Sequence, residues 1–375
     1  MKAKFAIVSA CIGIFLAVGL SELFVRMFSR DLPNTNWERE LFCKNSQLNY
    51  RFMKPGISGY QTSFAFPRGV WVKANMNGYR DTEWSEKKKS SKKPLLLLGD
   101  SFGWGWGCHQ DSMMSRVLEQ GSNFSVYNLC VPGDNLFRHY VRYRYHIDQI
   151  GADQIVILNY INDFFDIMGQ VRLLKEAREK KLFSEAQTAI IQCDKASSPK
   201  LVDILNYSHL FRFVNEIRNS NKFSSDNEGG RKLLDSLFRI GFKPDVDLLT
   251  DSTFYPEIRS LYRELLVDIA HKRKVLVVHI PPDYQVDQQR AAELARLFPG
   301  VNINPSLINV LLKDVTEGIP NLTFLDLTEE IRKYNTHTKL YIKYDGHLNE
   351  RGQSVIGGLI SEAIRNESSD QPLKK

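Results

Sequence analysis

The chain has 375 residues, 43% hydrophobic and 25% charged, enough apolar material to bury an ordinary core with room for additions. Its formal net charge of +7 comes in part from Lys87, Lys88, Lys89, Lys92 and Lys93. That short run reads as a solvated linker, so the charge does not point to a nucleic-acid partner. The cysteines Cys43, Cys108, Cys130 and Cys193 contain no Cys-x-x-Cys pair, which argues against a zinc or thioredoxin-type site and permits a disulfide without requiring one.

At the N-terminus, Lys2 and Lys4 precede the apolar stretch Phe5 to Leu20, which continues past Glu22 through Leu23, Phe24 and Val25. About twenty such residues span a bilayer. No Ala-x-Ala-like cleavage site follows, and Arg26 and Arg30 suit the far headgroups, so residues 1–30 read as an uncleaved signal-anchor, with a cleaved signal as the competing reading. Val8-Ser9-Ala10-Cys11 resembles a lipoprotein acylation box, but too few apolar residues precede Cys11. The short N-terminal tail favours export of the C-terminal part to the periplasm or cell exterior.

Residues 31–93 mix aromatics, prolines and glycines in short extended pieces such as Gly69-Val70-Trp71-Val72, with a turn signal at Asn77-Gly78. They read as a β-rich lead-in ending in the basic linker. Five apolar β-type runs follow: Leu95 to Leu98, Val126 to Leu129, Gln154 to Leu158, Lys274 to Ile280 and Thr323 to Leu327. Helical patterns over Met113 to Gln120, Leu136 to Ile150, Tyr255 to Lys272 and Pro305 to Val315 connect them, and Gly352 to Arg365 closes the chain. The alternation predicts a parallel sheet covered on both faces. Residues 170–249 read as a helical insertion acting as a lid or partner surface, and residues 367–375 as a disordered tail.

Leu95 to Leu98 delivers Gly99-Asp100-Ser101 into the next helix. In an open α/β sheet, ligands bind outside the carboxyl ends of the strands. A serine there can take a base on one side while its own N–H faces an oxyanion; the plain alternative is that Asp100 and Ser101 only cap a helix. On the same predicted rim stands Asp345-Gly346-His347, just before the last helix. A Ser–His pair needs a third group to fix the imidazole tautomer, and Asp345 is the local candidate, with Asp326 and Asp163 in reserve. The loops after the second and third strands offer Gly133 and Asn162, which with the Ser101 N–H would supply three oxyanion donors. Trp104 and Trp106 can stack on a sugar or simply pack. His109 and His139 read as surface residues or as neighbours of the site, and His279 as a core histidine.

With these blocks in order, the chain resembles the SGNH (GDSL-like) hydrolase superfamily. Gly99-Asp100-Ser101, Gly133, Asn162-Asp163 and Asp345 with His347 match its four blocks across residues 94–366. The resemblance implies a flavodoxin-like three-layer α/β/α sandwich on a five-stranded parallel sheet, with Ser101 as nucleophile and His347 as base. Asn77-Gly78-Tyr79-Arg80-Asp81 together with the anchor looks like a membrane-anchored subgroup. Many members carry the aspartate three residues before the histidine, where this chain has Tyr344; the shorter Asp345-x-His347 spacing resembles polysaccharide O-acetyltransferase-like relatives.

The function expected is acyl-ester hydrolysis, acetyl foremost, on an acylated glycan or lipid of the cell envelope. Acyl transfer to a sugar hydroxyl by the same residues and a silent glycan- or partner-binding domain are the alternatives. No glycine-rich nucleotide loop or His-Glu-x-x-His helix occurs, so the chemistry calls for no cofactor and no metal.

Overall fold

A computed structural model of the chain describes residues 2–28, 37–45, 50–63, 65–164, 255–343 and 345–369, with isolated positions between 208 and 250. The expected insertion falls almost wholly outside the described residues.

The first helix, α1 (Lys2–Phe28), contains Ser9–Met27 at a mean hydropathy of 1.8. At 1.5 Å per residue these 19 residues extend about 28 Å, close to the thickness of a bilayer's hydrocarbon core. Phe15, Leu20 and Phe24 on it are exposed. This helix is long and apolar enough to be an anchor or a signal sequence.

The segment before the main sheet carries four short strands. Helix α2 (Trp37–Leu41) is followed by the antiparallel pair β1 (Phe42–Asn45) and β2 (Tyr50–Met53), then by the antiparallel pair β3 (Ser58–Ser63) and β4 (Phe66–Lys73). Trp37, Leu41, Phe52, Met53 and Val72 are buried in the same apolar core as the main sheet. The lead-in is therefore packed onto the sheet domain instead of trailing from it.

The lysine run departs from the solvated-linker reading at Lys87 and Lys92, while Lys88, Lys89 and Lys93 are exposed. Short helix α3 (Trp84–Lys87) buries Lys87, whose ammonium pairs with Asp81 at 2.8 Å and Glu119 at 3.3 Å and donates to the Val126 carbonyl. Lys92 donates to the Glu119 and Ser122 carbonyls. A buried ammonium is tolerated only because carboxylates compensate it, and the local spacing of lysines gives no sign of those partners.

Five strands build the main sheet: β5 (Lys93–Leu98), β6 (Phe124–Asn128), β7 (Gln154–Asn159), β8 (Lys274–His279) and β9 (Leu322–Asp326). All pairings are parallel, in the order β6-β5-β7-β8-β9. This is the doubly wound 2-1-3-4-5 order of flavodoxin-like folds. Leu95 to Leu98 and all of β7 are buried, as a sheet covered on both faces demands. Helices α4 (Ser101–Trp104), α5 (Met114–Gly121), α6 (Leu136–Ile150), α7 (Tyr255–Ala270), α8 (Asp283–Val286), α9 (Gln288–Leu297), α10 (Leu307–Thr316), α11 (Thr328–His337) and α12 (Glu350–Ser369) complete the described chain. Helix α12 packs on α5, while α6, α7 and α10 pack together over the sheet.

The last helix continues to Ser369, so residues 367–369, expected in a disordered tail, are helical. No helix-breaking residue occurs before Pro372. Residues 370–375 lie outside the described residues.

Candidate active site

Strand β5 ends at Leu98 and the chain turns through Gly99 and Asp100 into α4, whose first residue is Ser101. Asp100 caps this helix, its side chain accepting from the Phe102 N–H at 2.9 Å. Gly103 lets α4 lie against the neighbouring strand ends: a Cβ there would come within 2.3 Å of Cys130 Sγ and 2.6 Å of Leu158 Cδ1. Ser101 is thereby fixed at the carboxyl edge of the sheet beside the switch point between β5 and β7, where this topology opens a crevice.

Across that edge the Asp345–His347 loop returns. The Ile342 N–H donates to the His347 carbonyl at 2.7 Å, and Asn349 N–H to the Leu340 carbonyl at 2.9 Å. Gly346 sits at φ +85°, in the left-handed region that glycine enters without steric cost. That turn brings two side chains only two residues apart to the same side. His347 Nδ1 and Asp345 Oδ1 are 2.5 Å apart, and His347 Nε2 lies 2.8 Å from Ser101 Oγ. Residues 246 positions apart in sequence are thus one hydrogen bond apart.

The electrostatics follow from burial. Burial by itself would raise the Asp345 carboxyl, but the hydrogen bonds and charge of His347 outweigh it and hold that carboxyl below the usual carboxylate range. An ionised Asp345 keeps the ring proton on Nδ1, leaving Nε2 to accept from the serine. Ser101 Oγ also lies 3.3 Å from Asp100 Oδ2; the imidazole is the nearer acceptor. The Asp100 carboxyl is pushed up by burial, opposed by the Phe102 N–H and the Asn162 amide.

Asn162 follows β7 in a 3-10 turn (Ile161–Phe164) and donates from Nδ2 to Asp100 Oδ2 at 3.0 Å. One Nδ2 hydrogen remains for another acceptor. Gly133 stands at φ +75° with open space where a Cβ would be; its carbonyl accepts from Arg138 at 2.6 Å. The next residue, Asp134, forms a buried ion pair with Arg142, which fixes the loop. The structure therefore brings Asp345, His347, Ser101 and, through Asp100, Asn162 into one connected set.

The reserve aspartates stand apart from the imidazole. Asp326 is engaged by Asn309 at 2.8 Å and by Thr328 at 2.6 Å. Asp163 is buried and accepts from the Tyr160 N–H at 3.0 Å. His139, read from sequence as surface or near the site, is not a surface residue: it is completely buried in α6, against the Gly99 backbone two residues before Ser101. His279 is buried at the end of β8 with Gln285 Oε1 3.3 Å from Nε2, a core histidine.

Three contributions were not visible in the sequence. Trp106 stacks on the His347 ring, Ser63 of the lead-in reaches Asp345 Oδ2 at 3.5 Å, and Arg80 donates to the carbonyls of Trp104, Gly105 and Cys108. The Asn-Gly-Tyr-Arg-Asp segment stood out in the sequence only for its subgroup likeness, and nothing in it pointed to the bracing that Arg80 provides. Among the described residues, no three His, Cys, Asp or Glu side chains converge as a metal set.

No family model matches the chain, and no curated protein matches it. Similar solved structures include a carbohydrate acetylesterase family member from Sinorhizobium meliloti, with 15% identity and a TM-score of 0.35, covering 73% of this chain and 98% of that one. A lipase/acylhydrolase from Enterococcus faecalis has 14% identity and a TM-score of 0.35 over 73% of this chain and 96% of its own. An alpha/beta hydrolase from the metagenome of Lake Arreo, Spain, has 13% identity and a TM-score of 0.39 over 72% and 95%. At such identities and scores the likenesses carry no argument about what this chain does.

Proposed function

We propose that the chain is a serine esterase of the SGNH type that cleaves acyl esters, acetyl foremost, on a carbohydrate or cell-envelope substrate. The observation that carries this reading is the hydrogen-bonded line from Asp345 through His347 to Ser101, with 2.5 and 2.8 Å links, at the carboxyl edge of the sheet. Ser101 Oγ attacks the ester carbonyl as His347 Nε2 takes its proton, and the charge that forms on the imidazole is balanced by Asp345. The imidazolium then gives that proton to the departing alcohol, leaving an acyl-serine. Water, deprotonated by the same imidazole, attacks the acyl carbon and releases the acid and Ser101. The N–H groups of Ser101 and Gly133 and the second Nδ2 hydrogen of Asn162 are the donors assigned to the oxyanion.

The glycan part of the reading rests on the resemblance, through the short Asp345-x-His347 spacing. In this reading residues 94–366 form the hydrolase domain, residues 31–93 its lead-in, and residues 1–30 a single membrane anchor with the domain exported. The disulfide bond made by Cys43 supports export, because such bonds persist in oxidising compartments.

The test is turnover of p-nitrophenyl acetate and longer esters by the protein and by Ser101→Ala, with and without an acceptor glycan. Loss of about 10⁴-fold or more in kcat in Ser101→Ala supports the esterase. Turnover that needs the acceptor replaces it with acyl transfer, and failure of Ser101 to become acylated by any ester leaves a binding domain.

A further inference from the structure

The imidazole of His347 is flanked by two aromatic rings. Trp106 lies with ring centroids 5.0 Å apart and planes 20° from parallel, and Phe102 at 5.0 Å and 32°. The same indole points its Nε1–H at Asp345 Oδ2, 3.4 Å away. One side chain therefore touches both members of the acid–imidazole pair.

The position of that indole is over-determined. Its backbone N–H donates to the Ser101 carbonyl at 3.1 Å. Arg80 holds the carbonyl of Gly105 on one side of it and that of Cys108 on the other. Gln61 of β3 accepts from the Gly107 N–H at 3.1 Å, and Trp37 and Phe66 meet the indole edge-on at 5.4 and 6.4 Å. Trp37, Phe66, Gln61 and Arg80 all come from the segment before the sheet, so the lead-in sets the Trp106 ring.

We propose that Trp106 is a positioning residue for the acid–base pair: its π face stabilises the imidazolium that His347 becomes on taking the Ser101 proton, while its N–H steadies Asp345. The catalytic consequence rests on the esterase reading; the effect on the imidazole does not. A neutral imidazole gains only stacking from the indole, whereas the cation gains attraction to the ring quadrupole as well. The interaction thus strengthens as charge develops, the condition for lowering a barrier instead of merely binding.

Other charged and titratable groups face His347 and remain the same in every Trp106 variant. Asp345 is on its own loop, and Asp100 and Ser101 are on the turn after β5. Ser63 approaches from the hairpin through Asp345. Behind Trp106 the Cys108 thiol stays neutral, pushed up to about 12 by burial, with Arg80 and Glu350 of opposite sign beside it.

The test is the NMR titration of the His347 imidazole in the full chain, identified by loss of its signal in His347→Gln. In Trp106→Leu the imidazole pKa falls by about one, and the acid limb of kcat moves to lower pH with it. kcat itself falls about tenfold with KM little changed, while Trp106→Phe retains most of the wild-type titration. Global replacement by tryptophans carrying increasing numbers of fluorines thins the π face at nearly constant volume, and of the five tryptophans Trp106 is the one stacked on His347. The pKa then falls stepwise with fluorine number. Titration of Trp106→Leu together with the wild type, or a pKa insensitive to fluorine where Trp106→Leu does not fold, overturns the proposal. A shifted imidazole in a protein that turns over no ester supports it while removing the esterase reading.

Discussion

At the scale of single residues, Gly346 decides whether Asp345 and His347 can work as neighbours. An aspartate two positions before a histidine would, in extended backbone, share its face but be carried along the strand; the φ of +85° folds the pair into one turn instead. Nothing lies within 4 Å of a Cβ at this position, so substitution meets only backbone strain. Gly346→Ala is expected to cost about 1 kcal/mol of stability, to lower kcat/KM about tenfold, and to be partly relieved by Gly346→Asn, which tolerates that region better; thermal unfolding and ester turnover check all three. Ser101, Gly133, Asn162 and Asp345 with His347 could be singled out in the sequence because each follows an apolar run or ends a strand-like piece. Two features could not. The Asn162 amide is engaged by Asp100, a contact between residues 62 apart, and Trp106 looked like any aromatic beside a turn until its stack on His347 was seen.

At the scale of elements, the strands were the most legible part, since buried parallel strands are nearly unbroken apolar runs. Helix α6 was equally plain, with Asn135 at its N-cap and Gly151 after its end at φ +70°. Helices α9 and α11 were missed for a physical reason: α9 buries only Leu294 and Leu297, and α11 only Thr328, Ile331 and Asn335, so each is polar overall and its narrow buried stripe is easily read as part of a loop. Least legible was the Asn-Gly-Tyr-Arg-Asp segment, whose Arg80 lies over the Trp104 ring at 4.7 Å and holds three carbonyls after the serine. Arg80→Met leaves those buried carbonyls without their donor and is expected to cost about 3 kcal/mol or more, measured by denaturant unfolding. Arg80→Lys recovers only part of this, because an ammonium cannot reproduce the planar fork.

At the scale of the whole molecule, buried histidines tie stability to pH. His139 and His146 are each held down to about 3, by burial first and then by the charge of Arg142. In the unfolded chain both protonate near 6.5. The stability they contribute is complete above that pH and drains away as pH falls from about 6.5 toward 3. Asp245 acts in the opposite sense: raised to about 7 by burial, it favours the fold at low pH and loses that contribution as pH rises through neutrality. The buried carboxyls of Asp81 and Asp245, raised to about 6 and about 7, oppose the histidines over the same range, so the expectation is a difference: His139→Leu loses less, or gains more, melting temperature than the wild type on acidification from about pH 7 to about pH 4.

The short connection between α1 and the lead-in sets a reach. Helix α1 ends at Phe28 and α2 begins at Trp37, which lies against Trp106 beside the candidate site. Whatever path the eight intervening residues take, their contour cannot exceed about 30 Å. With α1 in a bilayer, the site is confined to a thin layer above one membrane leaflet. Ester groups tethered in that layer would meet it at a high local concentration fixed by geometry, whereas a polymer anchored farther out would have to bend toward the membrane before any bond could be cut.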